Sequence, residues 1–171
     1  MKNYAKAVLY AYPLLETVEK DYEEHIRNKA ILSYKSEAPA EAVAQYIIGE
    51  IAEKQKLVWL KSLTERVLNT LSEVERAWIA VRYFKKTKKF KNPLPPSIEE
   101  GNKEPISQRT YFRMQLRLGN KVGEKIAAAG LTGEVFEREF SKMKFFEGIL
   151  RFLAAKKDRG ISESEKRWLR R

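Results

Sequence analysis

The chain has no cysteine and a single histidine, His25. The first absence removes disulfides, thiolate nucleophiles and cysteine-based zinc sites together, and it fits a reducing compartment. The second excludes a histidine-rich metal cluster and a two-histidine catalytic site. His25 lies near a helical seam beside Ile26, where a packed or half-exposed side chain is expected rather than a catalytic one. No apolar run approaches the roughly 18 residues of a membrane span. The opening "MKNYAKAVLYAYPLLE" lacks a small-residue cleavage site and runs straight into charge, so no signal peptide and a cytoplasmic location are expected. Enzyme signatures are missing too: no P-loop, no G-x-G-x-x-G after a strand, no nucleophile elbow. The carboxylate pairs Glu23–Glu24 and Glu99–Glu100 fall on expected exposed face or loop, where nothing desolvates them for proton transfer. Neither enzymatic activity nor a cofactor or metal is expected.

Positive charge is abundant, and its placement is uneven. The 171 residues carry a net charge of +11, and 43% of them are hydrophobic, enough for a real core. Residues 1–70 hold 10 Lys and Arg against 10 Asp and Glu, whereas residues 71–171 hold 24 against 13. A neutral packing module joined to a part that seeks an anionic partner is the natural interpretation, with nucleic acid the commonest such partner.

The apolar spacing is helical and no strand run stands out, so an all-α fold is expected. Tyr4, Val8, Ala11, Leu15, Val18, Tyr22 and His25 follow a 4-3-4-3 seam. Pro13 should kink that helix or end a short first piece. After the loop "SYKSEAP", Pro39 suits the first position of a helix of about 30 residues. Val43, Ile47, Ile51 and Val58 form one stripe of it, followed by Leu60, Leu63, Val67 and Leu71. Two long helices joined by a short loop should lie antiparallel. Ser72 and Glu75 then form a capping box, with Val74, Ala77, Trp78 and Val81 on the face behind it.

"KKTKKFKNPLPPSIEEGNKEP" interrupts the helical pattern with five lysines in seven residues, Lys85, Lys86, Lys88, Lys89 and Lys91, followed by prolines. A long loop over 86–106 is expected, and its length suggests function. Ser107 caps the next helix, which should run to about Ala129 with Tyr111, Met114 or Gln115, Leu118, Val122 and Ile126 buried. Arg109, Arg113, Arg117, Lys121 and Lys125 form a second stripe at strict four-residue spacing. Like charges so placed destabilise an isolated helix by about 0.2–0.5 kcal/mol per neighbouring pair. A polyanionic partner relieves that cost. Beyond Gly130 and Gly133 one more helical stretch carries Phe136, Phe140, Met143, Phe146, Ile149, Leu150 and Leu153, with Phe145 and Phe152 also expected in the core. "ISESEKRWLRR" is expected to form a last short helix capped by Ser162 and Glu165, with Trp168 and Leu169 available to dock.

A helix that opens a helix-turn-helix reading unit places its first residues at base edges in the major groove. Gln108 can bridge adenine and Arg109 guanine, Thr110 can touch base or backbone, and Arg113, Arg117, Lys121 and the loop lysines would meet phosphate. The stretch "LSEVERAWIAVRYF … ISQRTYFRMQLRL" resembles the DNA-binding end of sigma-70-type factors and the related phage and autolysin-regulator-type proteins. The residues that carry the resemblance are Leu71, Ser72, Glu75, Ile79, Arg82, Tyr83 and Phe84, then Ile106, Ser107, Arg109, Thr110, Tyr111, Phe112 and Arg113. Between these pieces the family places a short apolar helix; here only "PSIEEG" has the makings of a helical turn. The resemblance covers about a third of the chain and implies a regulator that binds double-stranded DNA.

Three segments are therefore expected. Residues 1–70 form a helical hairpin that dimerises or docks a partner such as RNA polymerase, 71–130 form the helix-turn-helix-like unit, and 131–171 are C-terminal helices. The competing expectation is an all-α adaptor or inhibitor that sets its basic face on an acidic protein. RNA in place of DNA is a third.

Overall fold

A computed structural model describes residues 1–33, 39–84 and 108–158, with 108–112 and 156–158 described as helical backbone. The fold is all-α: six α-helices and one π-helical turn, with no strand among the described residues. The expected loop "SYKSEAP", the lysine-rich loop, the Ser107 cap and the last short helix lie wholly or mostly outside the described residues.

Helix α1 (Asn3–Ser33) and helix α2 (Ala40–Asn69) form the expected antiparallel hairpin. Their pairing shows in crossed contacts: Lys61 to Glu19 at 3.5 Å, Lys54 to Glu23, and His25 Nε2 with the Tyr46 hydroxyl at 2.7 Å. Pro13 sits inside α1 without ending it. A mid-helix proline costs about 3 kcal/mol, and the packing around it offsets this. Ala5, Ala7, Val8, Leu9, Ala11 and Leu15 are all buried, so this half of α1 is enclosed on nearly every side.

From Glu16 onward no α1 residue is buried, and in the first half of α2 only Val43 is. Residues 16–33 and 40–56 thus form a two-helix arm beyond the core. Here one expected stripe divides. Val43 is buried and Ile47 half-buried, but Ile51 and Val58 are each 40% exposed. Successive four-residue steps advance about 40° around a helix of 3.6 residues per turn, so the row drifts off the face that meets α1. His25, too, is exposed.

Helix α3 (Glu73–Ile79) begins with the capping box. Ser72 Oγ accepts from the Glu75 amide at 3.2 Å, and the Ser72 amide donates to Glu75 Oε2 at 3.1 Å. The π-helical turn Ala80–Phe84 follows and buries Ala80, Val81, Tyr83 and Phe84. Val74, expected on the apolar face, is exposed, and Ile79 is buried in addition to Trp78.

Helix α4 spans Gln108–Ala128. Of the two alternatives for its buried stripe, the polar one is inside: Gln115 is 4% exposed and Met114 37%. Leu118, Val122 and Ile126 complete the stripe. Gly130, at φ +100°, turns the chain in a region that L side chains avoid. Thr132 then caps α5 (Gly133–Glu139) through its hydroxyl, which accepts from the Val135 amide at 3.3 Å.

The single helical stretch expected beyond Gly133 is in fact two, with α6 at Lys144–Asp158. No glycine or proline marks the break. It allows Phe136, Phe140 and Phe146 to meet as a ring cluster, with centroids 5.2–5.9 Å apart. Phe145 is half-buried, while Phe152 is 41% exposed with its ring edge-on to Tyr10. One hydrophobic cluster draws residues from every element, including Leu9, Leu60, Trp78, Val122 and Phe136.

Candidate nucleic-acid interface

Helix α4 owes its orientation to the stripe Gln115, Leu118, Val122 and Ile126, which turns residues 113, 116, 117, 120, 121 and 124 outward. Two further contacts fix its position. On one side Arg82, from the π-helical turn, donates through Nη1 to Gln115 Oε1 at 3.3 Å. On the other, Met1 packs against Gly119 and Gly123: a Cβ at Gly123 would stand 3.3 Å from Met1 Cγ, so the glycine permits the close approach.

On the outward face Arg113 and Arg117 stand exposed one turn apart, about 6 Å along the axis. Neither has a carboxylate or other hydrogen-bonding partner among the described residues. Lys121, the next residue of the predicted row, differs. Its Nζ reaches Glu75 Oε1 at 2.7 Å, the same carboxylate that closes the α3 capping box. The hydrogen bond from Lys121 is the main reason the Glu75 carboxyl is held below its usual range, with the Ser72 amide adding to it. Lys125 is half-buried. The row of five cations is therefore divided, with Lys121 joined to the protein's own carboxylate and Arg113 and Arg117 open. Exposed Glu124 places one negative charge beyond them.

Of the other predicted contact residues, Gln108, Arg109 and Thr110 belong to the first turn of α4 as backbone. Lys85, Lys86, Lys88, Lys89 and Lys91 lie outside the described residues. Three features escaped sequence reasoning. The Glu75–Lys121 bridge joins positions 46 apart and leaves no local trace. Leu116, on the flank of the helix about 60° around from Arg113, is 63% exposed. The third is a shallow groove of about 420 Å³ on the arm, between Glu23, Ile26 and Arg27 of α1 and Ile51, Lys54, Gln55 and Val58 of α2. Its signal was present as a 3-4-3 spacing, Ile48, Ile51, Gln55, Val58, displaced from the stripe that meets α1.

Among the described residues no group of three or more His, Asp or Glu is placed to hold a metal ion, and no helix is long and apolar enough to cross a membrane. Comparison with protein-family models, with curated proteins and with solved structures finds no match for this chain.

Proposed function

We propose that this chain is a DNA-binding transcriptional regulator of the sigma-like or phage type, which sets the helix beginning near Ser107 against duplex DNA. The observation that carries the reading is the pair Arg113 and Arg117, exposed on the outward face of α4 and without internal partners among the described residues. A protein that needed these cations only for solubility gains nothing from placing them in register, and the repulsion between them is relieved by a phosphate row. The excess positive charge of residues 71–171 supports the same reading. The test is anisotropy of labelled duplexes recovered by selection from genomic fragments. Wild-type chain binds, and the double variant Arg113→Ala/Arg117→Ala binds markedly less while its far-UV circular dichroism is unchanged. Equal binding by the double variant contradicts the reading. An A-form RNA duplex as competitor separates DNA from RNA.

A second reading is favoured by the arm. Its groove and the exposed Ile31, Leu32 and Ile48 suit a protein partner, whether a second copy or RNA polymerase, and an all-α adaptor would use them without any nucleic acid. Purification distinguishes the two. An adaptor carries a protein partner and no nucleic-acid absorbance, and Ile48→Glu releases that partner. A DNA binder retains nucleic acid at low salt.

A further inference from the structure

The outward face of α2 carries no charge between residues 44 and 62. At about 3.6 residues per turn, Ala44, Ile48, Ile51, Gln55, Val58 and Ser62 fall on one line, half a turn around from the buried Leu57, Leu60, Thr64 and Val67. All six are exposed, Ile48 to 64%. The lysines of this stretch are held elsewhere: Lys54 by Glu23, Lys56 by Glu53 and Glu139, Lys61 by Glu19. A helix side that meets only water normally carries such charges itself. Here that side carries instead the 4-3-4-3-4 spacing of a coiled-coil seam, and no other described helix covers it.

The spacing reads the same in both directions, so it suits a copy of itself. Set antiparallel about residue 53, Ile48 of one copy faces Val58 of the other, Ile51 faces Gln55, and Ala44 faces Ser62. The charges agree with the same centre. The Lys54–Glu23 bridge puts residue 23 of α1 level with residue 54 of α2. Glu23 and Arg27, which both line the groove between the helices, therefore straddle that centre one turn apart. A two-fold axis there brings Glu23 of each copy toward Arg27 of the other, and at the ends of the seam Glu41 toward Arg66. A different protein needs neither pattern to be palindromic. We infer that this chain pairs with a second copy through the outward face of α2, antiparallel, about a two-fold axis near residue 53.

The pairing is independent of DNA binding. Sedimentation equilibrium of the full chain, treated with nuclease and held at high salt, measures it without nucleic acid. The wild type should have twice the mass of one chain. Ile48 is covered twice per dimer, so Ile48→Glu should raise the dissociation constant by more than about tenfold. Its far-UV circular dichroism should be unchanged, because the side chain stands outside the core. Orientation is read by cross-linking, since the chain has no cysteine of its own. A mixture of Ile48→Cys and Val58→Cys chains should form a mixed disulfide on mild oxidation. Ile48→Cys alone should not, because its two sulfurs lie about 15 Å apart along the helix axis. A wild type that stays monomeric overturns the inference and leaves the face to a different protein. A dimer indifferent to Ile48→Glu, one cross-linked by Ile48→Cys alone, or one that the mixed pair fails to cross-link overturns it too. Failure of the wild type to bind any duplex leaves the pairing standing.

Discussion

Arg113, Arg117 and Lys121 occupy three successive turns of α4, yet their electrostatic situations differ. The two arginines face solvent unpaired among the described residues, while Lys121 is hydrogen-bonded to Glu75. Substitution should separate them. Arg113→Ala and Arg117→Ala should each weaken duplex binding about uniformly across sequences and lower the salt dependence by about one unit. Their thermal midpoints should stay at the wild-type value, because exposed side chains without partners contribute little to stability. Lys121→Met acts in the opposite sense. It removes a half-exposed ion pair worth at most about 1 kcal/mol and has a smaller effect on DNA. The pH dependence follows from the sign of the shift. The folded-state carboxyl of Glu75 is held below its ordinary range, so the stabilisation is complete above that range and is lost as pH falls through the lowered value. The stability difference between wild type and Lys121→Met should be present at neutral pH and vanish in strong acid. A difference that persists in acid would mean that the Lys121 side chain stabilises by packing instead.

Among the elements, α3 is the one whose existence depends most on a few polar atoms. Seven residues are too few for a helix to persist by propensity, and Ser72 and Glu75 satisfy its first amides reciprocally. Ser72→Ala should cost about 1 kcal/mol, which corresponds to about 2–4 °C in thermal midpoint for a domain of this size. An unchanged midpoint would show that Trp78 and Ile79 hold the element alone. The capping box was fully legible in the sequence because its atoms are three residues apart. The hairpin was legible for the same reason: two long apolar periods and a short connection leave few arrangements. The break between α5 and α6 was not, because nothing near Phe140 disfavours a helix locally; the turn follows from the meeting of Phe136, Phe140 and Phe146. The site was legible as a row of cations but not as a divided one. Which cation finds a carboxylate depends on how α3 lies against α4, and that is a tertiary fact.

At the scale of the molecule, charge and apolar surface are segregated. Residues 16–56, the two helices of the arm and the sequence between them, hold 6 Lys and Arg against 9 Asp and Glu, and the rest of the chain holds 28 against 14. Helix α4 packs on the enclosed half of α1 through Met1 and Ala5, at the end away from the arm tip. Because one hydrophobic cluster links all these elements, unfolding should be a single cooperative event. Phe146→Ala, at a fully buried position, should cost about 3–5 kcal/mol and lower the circular-dichroism and tryptophan-fluorescence transitions together; separate transitions would mean that the arm and the core fold independently. The same layout leaves the basic face unobstructed by the arm. The most direct test is the dependence of duplex affinity on salt, measured for the wild type and for Arg113→Ala/Arg117→Ala. The logarithm of the association constant should fall linearly with the logarithm of salt concentration in the wild type, and the slope should be shallower by about two units in the double variant. A wild-type affinity indifferent to salt, or one slope shared by both proteins, would contradict a phosphate-binding role for the exposed face of α4.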